Sequence, residues 1–150
     1  EKMKILYDAF TEPEPHYPQI IKADKVKPIE VYPKEENKHP HAVWDVKDAG
    51  VTRNGNKVLV KMIAVRSTFT PTDFEIKDGD EVTIALTNIE QTTDELHGLG
   101  LLDYNINIVV DPGETKTVTF KAKKKGVYPY YCTNFCSALH QEMQGYMIVR

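Results

Sequence analysis

The sequence predicts an all-β domain preceded by an extended arm, and three features carry that reading. Apolar and polar residues alternate in short runs from about Val58 to Val149. Turn signals such as "KDGD", "DPGE" and "KKKG" separate those runs. Prolines crowd residues 1–50, where Pro13, Pro15, Pro18, Pro28, Pro33 and Pro40 all fall. Alternation with a period of two puts every second side chain on one face of a strand, and the 3.6-residue period of a helix does not fit these segments.

The arm comes first. Proline fixes φ and removes a backbone donor, so "TEPEPHYP" is excluded from a helix interior. Residues 1–50 are expected to be extended and irregular, a connector that lies along a neighbouring surface. The domain proper is assigned to residues 51–150. "KVLVKMIAVRSTF" supplies a strand with Val58, Val60 and Met62 on one face. "DFEIKDGDEVTIALTN" sets Phe74 and Ile76 before a turn and Val82, Ile84 and Leu86 after it. "INIVV" runs into the turn "DPGE", and "TKTVTFKA" alternates Val118, Phe120 and Ala122 with polar residues. "VYPYYC" opens one more strand and "GYMIV" the last, while "SALHQEM" between them suits a helical turn. Short strands at this spacing indicate an antiparallel Greek-key sandwich or small barrel.

Bulk properties narrow the function. A chain of 150 residues with 41% hydrophobic and 27% charged residues suits one globular domain. A formal net charge of -3 offers no basic face for nucleic acid. No apolar run reaches the length of a membrane span. "EKMKILYDAF" has neither an initiating Met nor the apolar stretch of a secretory signal, so a processed chain or a piece of a larger protein is expected. Two cysteines are too few for a disulfide scaffold.

Those two cysteines stand in "YCTNFCSALHQEM", with the spacing C-x3-C-x3-H-x2-M formed by Cys132, Cys136, His140 and Met143. Thiolate, imidazole and thioether are soft donors that suit copper, and methionine is a poor ligand for zinc. A mononuclear copper site needs one Cys, whereas two close thiolates are able to bridge two coppers. His97 in "TDELHGLG", near the end of an upstream strand, is the candidate for a second imidazole. A plain disulfide, a pair of inert thiols and a zinc site stand as alternatives on spacing alone.

The stretch "GVYPYYCTNFCSALHQEMQGYMIV" resembles the binuclear copper A loop of the nitrous-oxide reductase family. The likeness runs back through "TDELHG" and "DGDEVTIALTN" to "NGNKVLVKM". "YDAFTEPEPHYPQII" resembles that family's connector between its β-propeller and its copper A domain. The resemblance implies a cupredoxin-like fold and two copper ions. Cys132 and Cys136 would bridge them, His97 and His140 would be terminal ligands, Met143 a weak thioether ligand, and Asn134 a ligand through its backbone carbonyl. Asp94 matches an acidic residue that would hold the His97 ring. His16 matches a propeller-cluster histidine that lacks its fellow ligands here, and His39 and His41 are read as surface residues.

The family usually has tryptophan at Asn134, and often an aromatic and a histidine at Pro129 and Ser137. Donor docking is therefore less firmly implied than copper binding. The implied role is periplasmic electron transfer. The donor would be a c-type cytochrome or a small copper protein, and the acceptor the catalytic copper cluster of a propeller domain in the second subunit of a homodimer. The copper A domain of cytochrome c oxidase subunit II, a mononuclear cupredoxin carrier and a metal-free disulfide module are the competing readings.

Overall fold

A computed structural model describes residues 37–66, 68–91, 95–133 and 143–150. Outside these lie His16 with the rest of the arm up to residue 36, Asp94, and the segment 134–142. That segment holds Asn134, Cys136, Ser137, His140 and most of the helical turn expected for "SALHQEM".

Ten strands are described: β1 (Gly50–Asn54), β2 (Lys57–Val65), β3 (Thr68–Thr70), β4 (Asp73–Ile76), β5 (Glu81–Asn88), β6 (His97–Leu101), β7 (Ile106–Val110), β8 (Thr115–Lys121), β9 (Gly126–Tyr131) and β10 (Gln144–Val149). They form two sheets. One runs β1-β2-β5-β8 with β3 paired to β2, and the other runs β4-β10-β9-β6-β7. Alternation sends Val58, Val60 and Met62 from the first sheet and Phe74, Ile76, Met147 and Val149 from the second into a shared core. Burying such side chains contributes roughly 1.5–3 kcal/mol each and is the main stabilising force.

The expected strand positions hold, but not the purely antiparallel pairing. β2 pairs parallel with β5, Val58 opposite Val82 and Met62 opposite Leu86. β4 pairs parallel with β10, Phe74 opposite Met147. Both parallel contacts follow from the chain changing sheets. After β3 it crosses to the second sheet as β4 and then returns as β5, in the same direction as β2. Parallel neighbours need such a crossover, and a tight hairpin cannot supply one.

The described end of the arm lies on the domain's own first sheet. Asn37 Nδ2 donates to Gly113 O at 2.8 Å and to Thr115 Oγ1 at 2.9 Å. Val43 N donates to Thr87 Oγ1 at 3.2 Å, and the Thr87 and Thr115 hydroxyls are 2.7 Å apart. Val43 is buried, and so are Ala85 and Thr87 on the face of β5 that points away from the core. The covered face explains why "IALTN" at the end of β5 is buried at every residue.

Two polar joints brace the sandwich. At one end the Asp80 carboxylate, 3% exposed, accepts Arg53 Nη1 at 2.8 Å, Arg53 Nη2 at 2.6 Å and Lys77 N at 2.7 Å. The Arg53 hydrogen bonds hold the Asp80 carboxyl below its ordinary value of 3.8. In the second sheet Tyr130 is buried against Phe69 and Phe74, with its hydroxyl donating to Thr72 O and Pro71 O. Burial pushes that phenol's pKa strongly upward.

Gly145 lies over the Tyr130 joint. A Cβ built there would sit 1.8 Å from Thr72 O and 2.6 Å from Tyr130 Oη, so only glycine lets β10 approach. Gly145→Ala is therefore expected to destabilise the fold by about 3 kcal/mol in denaturant unfolding. Asp80 has a lowered native pKa, so its contribution is fully present above its unfolded value and is lost as pH falls through the native one. Arg53→Ala is expected to lower stability at neutral pH and to flatten the stability profile below about pH 4, as read by acid titration of the folded fraction.

Candidate metal centre

Three of the metal-ligand candidates lie among the described residues, and strand register brings them together. On β9 the core-facing positions are Tyr128 and Tyr130, and alternation carries the next inward position to Cys132, 2% exposed. Gln144 on β10 is paired with Tyr131, and one step further Cys132 N donates to Met143 O at 3.0 Å. Met143 is fully buried and shares the inward parity of Met147. On the other side of β9, Gly100 of β6 is paired with Tyr131, and Thr133 N donates to Gly98 O at 3.3 Å. Leu99 therefore neighbours Cys132, and His97 follows on the same inward face with no exposure.

His97 was expected near the end of a strand upstream, and it begins a strand of its own. β6, "HGLGL", is buried at all five positions and so shows no alternation. Its glycines hide it further. At position 100 a Cβ would meet Thr133 Cγ2 at 2.6 Å, so any side chain there would make Thr133 shift. Gly100 thus lets β6 close on the chain just after Cys132.

The His97 ring is held on both sides. Its Nδ1 faces Cys132 Sγ at 4.0 Å, and its Nε2 lies 3.1 Å from Glu90 Oε1. That oxygen already accepts the backbone N–H of Arg66, so it acts on the ring as an acceptor. This contact suits the tautomer with the proton on Nε2, in which the Nδ1 lone pair is directed at the thiol. Bonds of about 2.3 Å to sulfur and about 2.0 Å to imidazole nitrogen set two ligands of one metal roughly 3.5–4 Å apart. The Cys132–His97 separation fits a shared metal ion, with the buried Met143 beside it.

Asn88 builds the support behind this pair. It is fully buried, and its Nδ2 donates to Glu95 O at 2.8 Å and Val110 O at 3.0 Å. Its Oδ1 accepts Glu90 N at 2.9 Å. Val110 is paired with His97 in the sheet, so one side chain positions both the histidine's strand and the carboxylate that holds its ring.

Glu90 and Asn88 were not singled out in the sequence, where one resembles a loop carboxylate and the other the end of "EVTIALTN". The seven-residue interval from Glu90 to His97 matches no ligand spacing that would have marked it. Among the described residues no group of three or more His, Cys, Asp and Glu side chains is set to hold a metal. Cys136, His140 and Asn134 lie outside those residues.

Residues 39–149 match the model of the cupredoxin-like domain family. The chain is 44% identical over 149 residues to a nitrous-oxide reductase of Cupriavidus necator, covering 99% of this chain and 23% of the relative. It therefore spans about a quarter of the length of the reductase it matches. It is 31% identical over 106 residues to cytochrome c oxidase subunit 2 of Thermus thermophilus, covering 71% of this chain and 76% of that one. A chain of a solved heme-copper terminal oxidase dimer shares its fold, with a TM-score of 0.63 at 24% identity over 99% of this chain and 88% of that chain.

Two outcomes test the support around His97. Asn88→Ala leaves buried carbonyl and amide groups without partners and is expected to destabilise the domain by about 3 kcal/mol, measured by denaturant unfolding. Glu90→Ala frees the His97 ring and is expected to weaken metal binding about 10–100-fold in competition titrations, with the fold retained.

Proposed function

The chain belongs to the cupredoxin-like domain family, and we propose that it is the copper A electron-transfer domain of a nitrous-oxide reductase. The observation that carries this reading is the Cys132 thiol set 4.0 Å from Nδ1 of a fully buried His97, at one end of a packed β scaffold. Soft sulfur donors with imidazole select copper. In the proposed centre the thiolates of Cys132 and Cys136 and the imidazoles of His97 and His140 would hold the two coppers. The Met143 thioether and the Asn134 carbonyl would complete the donor set. The copper pair, when bound, supplies reversible one-electron storage.

The protein's own part is to keep the ligands still. Cys132 and Met143 are tied to each other through the backbone, and His97 is tied through Glu90 and Asn88. A site that cannot relax resists change between redox states, which favours fast electron transfer.

The remaining parts of the reading follow the family. Residues 1–50 serve as connector and residues 51–150 as the copper domain. The location is the periplasm, and the electron donor is a c-type cytochrome or a small copper protein. The acceptor is a catalytic copper cluster in the propeller of the second subunit of a homodimer. No helix among the described residues is long and apolar enough to cross a membrane.

A copper A domain of a cytochrome oxidase subunit 2 is the second reading, favoured by the Thermus relative. The reductase reading is preferred because its similarity extends over 99% of the chain, arm included, against 71% for the oxidase.

Copper-loaded protein is expected to give an electron paramagnetic resonance spectrum with one electron coupled to two equivalent copper nuclei. A one-copper pattern with one copper per chain would sink the binuclear assignment. Cys136→Ser is expected to abolish the binuclear signal, whereas Met143→Leu keeps it and shifts the potential, because axial ligands tune copper sites. The 150-residue chain alone is expected to be reduced by ascorbate with a mediator. With reduced viologen it is expected to consume no nitrous oxide above a metal-free control.

A further inference from the structure

We propose that Arg66, which sits in the exposed turn after β2, is a positioning residue that locks His97 in its ligand orientation. The proposal rests on the reading of His97 as a copper ligand. Two acidic residues flank the link that leads into β6. Glu90 sits at its start and reaches Nε2 of His97, and Glu95 sits at its end, two residues before the histidine. Arg66 engages both. Its backbone N–H donates to Glu90 Oε1, and its guanidinium pairs with Glu95 Oε1. The turn after β2 is thereby fastened to each end of the link.

Charge gives the guanidinium its importance. The Glu90 and Glu95 side chains are each only 14% exposed, and Asn88 gathers both residues by bonding Glu90 N and Glu95 O. Two shielded carboxylates in one small region repel each other unless a cation offsets them. Arg66, with its side chain 56% exposed, is the lysine or arginine ion-paired with either of them among the described residues. Without its charge Glu95 loses its cation and the two carboxylates are left to repel each other, which loosens the hold of Glu90 on Nε2 and lets the ring turn away from Cys132. Arg66 thus acts on the metal site through two carboxylates, neither of which is a proposed ligand.

The test uses the whole chain without metal, with nitrogen-15 in its histidines. Exchange of the His97 Nε2 proton with water is read by NMR, beside the thermal midpoint. Arg66→Gln is expected to speed that exchange at least about tenfold while the sheet spectrum is retained. The double variant Arg66→Gln with Glu95→Gln removes both charges and is expected to return the exchange to within about threefold of the parent, the coupling a double-mutant cycle isolates. An unchanged exchange rate in Arg66→Gln overturns the proposal, and so does a double variant as fast as the single one.

Chelator-driven copper release from the loaded protein is the second measurement, expected to be about tenfold faster in Arg66→Gln. Faster proton exchange with unchanged copper release would uphold the lock on the ring and instead overturn the ligand role of His97.

Discussion

The amide of Asn88 has no exposure, and both of its N–H groups and its carbonyl oxygen are bonded to main-chain groups. Its own backbone is bound as well, donating to Glu114 O at 3.0 Å and accepting Gly113 N at 2.8 Å. Five hydrogen bonds from one residue join the end of β5 to the turn before β8, to β7 and to both ends of the link into β6. An unmade bond inside such a site costs the desolvation of each orphaned group, so the arrangement holds as a unit. The position of His97 depends on it from two directions, through its strand partner Val110 and through Glu90.

The two halves of the site are built differently. Cys132 and Met143 are extensions of a β ladder, placed by register and alternation with little freedom of their own. His97 is also placed by register, through the five residue pairs of β6 with β7, but its ring is oriented by a polar network. Fixing the ring then falls to hydrogen bonds, which also suit one tautomer. The candidate site therefore takes the placing of its sulfur atoms from the sheet and the orientation of its imidazole from the side chains around it.

Covering the first sheet serves the same end. Residues 37–45 bond to Thr87 and Thr115, the β5 and β8 residues nearest Asn88 along their strands. They exclude water from the back of β5, where an open face would let solvent compete for the hydroxyl pair. The family match from residue 39 includes most of this segment, Val43 among it. Part of the proline-rich region thus contributes to the packing of the copper-binding sandwich, although its residues alternate with no strand period.

Local sequence determined where most of the strands lie, because a period of two and a turn signal are properties of neighbouring residues. The spacing of thiolates, imidazole and thioether also pointed to copper, whereas the inward parity of Cys132 and Met143 emerged from the sheet register. The parallel pairings β2–β5 and β4–β10 were not legible, since a turn states that a strand ends and not which sheet the next one joins. β6 was hidden because a strand buried on both faces has no alternation to show. Glu90 and Arg66 carried no signal at all: one is seven and the other thirty-one residues from His97, and both read as solvated charges. Only the folded chain brings them to the ring, because side-chain networks form across strands whose register is set by long-range packing and not by the residues beside them in sequence.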